Sequence, residues 1–337
     1  MKRFVLCSVV FFFWVPVFSQ NAVILQHAGN PTPFYGSNGY LQAYDAAVHG
    51  DTIYLPGGFF QPPSPVNKRI AVIGAGHHPD TTSATLPTVL VSGFSISEEA
   101  DSCFLSGFRV NGGITFDHSA SINGFTFSRL YVDGPINSSG GANSHHYGNI
   151  SECIIVGEIS GPRFLLCNVV NNIILYRINE MVNSMIANNI FLSAYNYYGI
   201  YRSLYGLSEC VVRNNIFYYG LGDLPGCINN QFIKNIFAND PPTTNNSFSA
   251  NYNNEHTTNL FVSYDGSAYS YGFDLHLKLP ANYPGTDNTQ VGLYGSAKPW
   301  KEGSVPLNPH IISKNISENS DANGVIQVQL KVAAQDR

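Results

Sequence analysis

Long apolar runs are almost missing from this 337-residue sequence, and so is charge. The one extended apolar stretch lies between Phe4 and Val17, shorter than the roughly 18 residues of a membrane-spanning helix, so no membrane span is expected. Charged residues are 12% of the chain and the formal balance is −5, which leaves no electrostatic footprint for nucleic acid or an anionic membrane surface. Lysine is absent from Arg69 to Ile233. No Cys-x-x-Cys pair or Cys/His spacing suggests zinc, and no paired acidic motif offers a calcium site. Neither a metal nor a cofactor is therefore expected. Long amphipathic helical patterns are nearly absent as well, which argues against a helical fold class.

What is present begins with a leader. Lys2 and Arg3 precede the apolar run, which ends near the small residue Ser19, the pattern of a signal peptide over residues 1–19. The mature chain is then expected to be secreted, whether periplasmic, cell-surface or extracellular. Losing Lys2 and Arg3 moves the balance from −5 to −7. Of six cysteines, Cys7 falls in the leader, leaving Cys103, Cys153, Cys167, Cys210 and Cys227. An export route permits disulfides, but Cys153, Cys167 and Cys210 border or enter apolar runs, where a reduced Cys behaves as a small core residue. Buried thiols are the preferred reading and disulfides the alternative.

Glycine, asparagine, serine and tyrosine are abundant, as many short strands joined by tight polar turns require. The strands repeat. Val170-Asn-Asn-Ile-Ile174, Ala187-Asn-Asn-Ile-Phe191, Arg213-Asn-Asn-Ile-Phe217 and Lys234-Asn-Ile-Phe237 share an Asn-Ile core with isoleucines at 173, 190, 216 and 236. Ser151-Glu-Cys-Ile-Ile155 and Ser208-Glu-Cys-Val-Val212 form a second repeat. Such short units bury a face only by stacking coil on coil, and parallel crossovers favour the right hand. The sequence therefore predicts an all-β, right-handed parallel β-helix over residues 20–262, with its isoleucines and phenylalanines pointing inward. Asn172, Asn189, Asn215 and Asn235 are expected to form a ladder of stacked amides, with asparagine also suiting a left-handed bend. Tyr40 to Val48 puts Leu41, Tyr44, Ala47 and Val48 on one helical face and reads as a short N-terminal cap helix. Residues 263–310 read as an irregular C-terminal capping segment. Residues 311–337 read as a terminal β-strand segment, because Gly324 to Val332 alternates with a period of two.

Two stretches add a resemblance. Leu41 to Gly58, with Gly50-Asp-Thr-Ile53, resembles the opening of secreted pectate-lyase-like β-helix proteins, many from Bacteroidetes-type bacteria. Phe273-Asp-Leu-His-Leu-Lys278 followed by Pro284 to Ser296 is similar to their closing segment, departing at Gln290 and Ser296. The resemblance implies the fold over roughly residues 22–310. It implies no single activity, since that fold hosts many.

Loops after equivalent strands of a coil line up on one flank. Tyr195, Tyr197, Tyr198, Tyr201, Tyr205, Tyr218 and Tyr219 fall in such loops. Six of them, all but Tyr205, are the candidate substrate-binding residues, because a tyrosine ring offers a sugar a flat apolar face and a hydrogen-bonding edge. Packing against the solenoid is the competing reading. The resemblance implies that polymer-cleaving relatives use a Lys or Arg base. Arg177 and Arg202, with Glu180 and Asp223 nearby, are weak catalytic candidates. An arginine is a poor base, and the aspartate pairs of a hydrolase are missing. Gly76-His77-His78, Asp117-His118 and His145-His146 are the remaining polar clusters. Adjacent strand residues face opposite ways, so each histidine pair offers at most one ligand. The expected function is a secreted or surface protein, non-catalytic, binding polysaccharide through the tyrosine-rich flank. A divergent polysaccharide lyase or hydrolase and a structural envelope protein are the alternatives.

Overall fold

The computed structural model describes residues 22–117, 121–138, 144–161, 164–192, 195–197, 200–242, 245–305, 309–317 and 319–334. The leader read at residues 1–19, His118 and Tyr198 lie outside them.

Each Asn-Asn-Ile motif sits at a bend, and its two asparagines divide the work. The first of each pair, Asn171, Asn188 and Asn214, takes a left-handed backbone with φ of 54°, 57° and 55°, a conformation asparagine tolerates better than most residues. Arg129, Glu152 and Lys234 hold the same conformation in other coils. The second asparagine turns inward and is fully buried. There it builds the expected ladder: the backbone N–H groups of Cys153, Asn172, Asn189, Asn215 and Asn235 donate to Oδ1 of Asn172, Asn189, Asn215, Asn235 and Asn251 at 2.8–2.9 Å. Each Nδ2 also donates to a strand carbonyl of the preceding coil, as Asn189 does to Val169 at 2.8 Å. A second ladder occupies another corner, where Cys210 and Asn230 donate to Oδ1 of Asn230 and Asn246.

These bends link short strands into a parallel β-solenoid of about nine turns. One coil shows the path: Thr126–Ser128 in the first sheet, Tyr131–Val132 in the second, Ile136–Ser138 in the third, then back to the first at Asn149–Ser151. The first sheet has twelve strands, the second nine and the third six. Apart from the antiparallel pair Val23–His27 and Asn30–Phe34 that opens the first sheet, these are parallel and in register. In-register stacking puts like residues above one another. Leu105, Phe127, Ile150, Val169, Ile186, Val212 and Phe232 form one inward column, and Ile114, Ile136, Ile159 and Ile178 form another.

The N-terminal helix is present at Gly39–Ala46. It buries Tyr40, Ala43 and Tyr44, with Ala47 at its end, while Val48 is exposed. Its inner face is thus rotated from the expected one, because the chain leaves the helix before Val48. The Gly-Asp motif that follows is structural. Asp51 accepts from the Val48 N–H and lies 2.8 Å from His27 Nδ1.

The first isoleucine of each repeat departs from the expectation that all of them point inward. Ile154, Ile173, Ile190, Ile216 and Ile236 face away from the solenoid core, into a second apolar layer. Alternation forces this, since the next residue, such as Phe191 or Phe217, already faces inward. The partner layer is the chain after the last coil, whose irregular course over residues 257–305 lies along the second sheet as a strap. Leu260, Phe261, Tyr264, Leu275, Leu277, Val291, Leu293 and Trp300 supply its apolar side. The left-handed column fastens it. Asn171 Nδ2 donates to the Leu293 carbonyl and Asn188 Nδ2 to that of Gly292, Asn214 exchanges hydrogen bonds with Thr286, and Arg129 donates to the Val305 carbonyl. Gly292 has φ +87° and lies so near Ile216 that an added Cβ would meet Cδ1 at 2.6 Å, so a larger residue would lift the strap there. Beyond the strap, His310–Ile316 and Val328–Ala333 pair as an antiparallel ribbon.

Candidate functional site

Outward residues of the first sheet stack as strictly as inward ones. On either side of the buried Phe127 and Ile150 stand Thr126 over Asn149 and Ser128 over Ser151, so two neighbouring coils present the same polar, small surface. Ser106 extends the serine column and Val170 closes it. Small side chains leave a channel here, and the end of the strap, residues 297–301, forms its wall. The cleft holds about 620 Å³ and is lined by Thr126, Ser128, Asn149, Ser151, Lys298 and Lys301 among others.

The electrostatics of the cleft follow from its edge. Arg129 is buried and its Nε donates to Glu152 Oε2 at 3.0 Å. Glu152 is the only carboxylate among the lining residues, and this pairing neutralises it. Two ammonium groups on the wall, Lys298 and Lys301, are then the net charge of the cleft. Asn149 Nδ2 donates to Ser151 Oγ at 3.1 Å, holding the floor in place. Such a site can hydrogen-bond hydroxyls along its length and attract anions at its rim.

Tyr218 and Tyr219 do not lie on a free flank. Tyr218 is buried beneath the strap, 6.1 Å from Phe261 in a stacked pair and 4.9 Å from Tyr264 edge-on. Tyr219 beside it donates its hydroxyl to the Gly266 carbonyl at 3.0 Å. These two follow the second sheet, whose outer face the strap covers, and so belong to packing. Tyr195, Tyr197 and Tyr201 lie on an antiparallel hairpin whose register sets Tyr195 opposite Arg202 and Asn196 opposite Tyr201. Tyr205 belongs to the third sheet, where it is partly exposed.

The four charged candidates are placed apart from the cleft. Arg177 donates to Glu158 at 3.0 Å. Arg202 grips Asp223 through two bonds of 2.7 and 2.6 Å, and the guanidinium holds the Asp223 carboxyl below its usual range. A guanidinium paired in this way is a poor base. Glu180 occupies a left-handed bend with φ 56°.

Two of the remaining polar clusters send a histidine into the interior. His145 is buried, accepts at Nδ1 from the Ile122 N–H, and is pushed down to about 4, first by burial and then by His146. His77 is buried against Tyr271, its Nδ1 2.9 Å from the hydroxyl. The five described cysteines are free and buried. Burial pushes Cys103 and Cys153 up to about 12, and Cys167, Cys210 and Cys227 up to about 11. Among the described residues no three His, Cys, Asp or Glu side chains group as metal ligands, and no helix is long and apolar enough to cross a membrane.

The only trace of the cleft in the sequence is the polar-apolar-polar triplet, Thr126-Phe-Ser128 and Asn149-Ile-Ser151, recurring at the coil spacing. Comparison with protein-family models, with curated proteins and with solved structures finds no match to this chain.

Proposed function

We propose that this protein is a secreted β-solenoid that binds a polysaccharide chain in the first-sheet cleft without cleaving it. The observation that carries this reading is the stacking of Thr126 on Asn149 and of Ser128 on Ser151 beneath the wall at residues 297–301. Adjacent parallel strands lie about 4.8 Å apart, close to the length of one sugar unit, so a polymer laid along the solenoid meets similar hydroxyl and amide partners at each coil. A volume of about 620 Å³ falls within the roughly 300–1,000 Å³ of small-molecule sites. Weak contacts of this kind add along a polymer. Lys298 and Lys301 favour an acidic sugar at the rim. The leader pattern and the resemblance to pectate-lyase-like proteins point the same way. With Glu152 held by Arg129, the cleft has no spare carboxylate among the described residues for acid–base work, which favours binding over cleavage.

The test is affinity electrophoresis of the mature chain in gels containing polygalacturonate, alginate or dextran, alongside assays for chain cleavage. Retardation by the acidic polymers without cleavage is expected. Ser151→Trp fills the cleft and should abolish retardation at an unchanged melting temperature, and Lys298→Glu with Lys301→Glu should weaken it for acidic polymers alone. Cleavage products would replace this reading with an enzymatic one, and mobility unaffected by every polymer would favour a structural envelope role.

A further inference from the structure

The terminal ribbon sorts its side chains with unusual strictness. Cross-strand partners lie on one face, so Lys314 with Leu330 and Ile316 with Val328, joined across a bulge at Ile312 by Ile311 with Val332, define one side, while Ser313 with Lys331 and Asn315 with Gln329 define the other. Ile326 continues the first side by alternation. That face is aliphatic apart from Lys314, whose stem is itself apolar, and no described residue covers it. Ile316, Ile326, Val328, Leu330 and Val332 are each more than half exposed. The ribbon touches the solenoid at its base, where Pro309, His310, Ile311 and Val332 meet Tyr54, Leu55 and Ile73 around a cavity of about 200 Å³.

A two-stranded ribbon standing alone in water is marginal at best. The five half-exposed aliphatic side chains above form one apolar face, comparable to the roughly 300–600 Å² of the largest patch on a typical monomer. A stable symmetric interface removes about 800 Å² from each partner, of which rather more than half is apolar. The exposed aliphatic area therefore matches the apolar share of one half of a dimer.

We propose that the ribbon is a homodimerisation element, its aliphatic face packing on the same face of a second copy about a two-fold axis. A face that pairs with itself supplies both halves of an isologous contact from one sequence. The polar face, with Ser313, Asn315, Gln329 and Lys331, stays in water on the outside of the pair. The cleft takes no part, so this assignment stands or falls apart from the polysaccharide reading.

Light scattering on size-exclusion fractions of the mature chain, loaded from about 1 to 100 µM to span ordinary dimer affinities, tests it. The wild type should run at twice the chain mass towards the upper end. Val328→Asp with Leu330→Asp should remain monomeric throughout, since two carboxylates would be buried in an apolar contact. Gln329→Asp with Lys331→Asp, on the opposite face, should still dimerise. An unchanged melting temperature in each variant confirms that the solenoid is intact. A wild type that stays monomeric at the highest load, or a dimer indifferent to which face is altered, overturns the proposal. A monomeric wild type that sediments with phosphatidylcholine vesicles also overturns it, assigning the face to a lipid surface instead.

Discussion

Asn189 gives both its backbone N–H and its side-chain Nδ2–H to a single atom, Oδ1 of Asn215, at 2.9 and 3.0 Å. Asn215 does the same to Asn235. Each amide is therefore both the acceptor for the coil before it and a donor to the coil after it, and removing one leaves buried groups on either side without partners.

Asn189→Ala and Asn215→Ala are each expected to destabilise by about 1–3 kcal/mol, the usual cost of stranding a buried polar group. Ala at the exposed Asn253 should change almost nothing. Thermal melts of the three variants check this, and equal melting temperatures would show that the ladder bonds contribute nothing beyond solvation.

Tyr218 separates packing from hydrogen bonding in one side chain. Its ring is buried between sheet and strap, yet among the described residues its hydroxyl has no hydrogen-bond partner. Tyr218→Phe should leave the melt unchanged or raise it, because an unpaired buried hydroxyl is removed. Tyr218→Ala should cost about 3–5 kcal/mol, as large-to-small aromatic changes in cores do. A Tyr218→Ala variant that melts like the wild type would mean that the strap does not rest on this ring.

The histidines predict acid sensitivity. His77 is pushed down to about 3, chiefly by burial, with His78 and Arg109 adding in the same direction. The folded pKa lies below the ordinary value of 6.5, so the unfolded chain binds the proton first. Stability from this group is complete above pH 6.5 and is lost as pH falls from there towards 3, by up to about 1.4 kcal/mol per pH unit. His145, pushed down to about 4, acts in the same sense over a narrower window. Melting temperatures measured from pH 7 to pH 4 should fall, and the decline should be shallower in His77→Gln. Parallel pH profiles for the two proteins would remove His77 from the account.

The thiols should be silent. With Cys103, Cys153, Cys167, Cys210 and Cys227 buried and their pKa values raised, the thiolate that reacts is scarce and shielded. In a chain begun at Gln20, Ellman's reagent should find no reactive thiol in the native state and five after unfolding, and dithiothreitol should not alter the melt. Fewer than five after unfolding without reductant would reveal a disulfide.

The coil was legible because its repeat is written into single motifs. Asn-Ile-Phe says bend, outward, inward, and three such motifs in series suffice to predict stacked parallel strands. What the motif does not say is which apolar residue meets which core. Ile190 and Phe191 are adjacent and equally apolar, and only the strap, 70 or more residues downstream, shows that the first of them has a partner outside the solenoid. The alternation of Leu275 with Leu277 and of Val291 with Leu293 marks one-sided burial in that segment, but not against what. Tyr218 was misplaced for the same reason, since a loop flank is a free surface only if nothing returns to cover it. The cleft was least visible, because Ser128, Ser151 and Lys301 come together through coil closure and strap return, neither of which local pattern encodes.

Solenoids commonly grow and shrink by duplicating or deleting whole units, and this one is restrained from doing so by its own tail. The strap meets Asn214, Asn188, Asn171 and Arg129 at Thr286, Gly292, Leu293 and Val305 in turn, so it works as a tape measure fixed at several marks. One extra coil between Arg129 and Asn214 would displace every later mark by about 4.8 Å and leave no strap residue in reach of its carbonyl or amide. Coils ahead of Arg129 are held as well, since Thr81 Oγ1 donates to the Gly303 carbonyl and His77 meets Tyr271, so only the loops between sheets escape that gauge. Insertions should therefore accumulate in those loops, and the span from Arg129 to Asn214 should keep its number of turns even where its residues change.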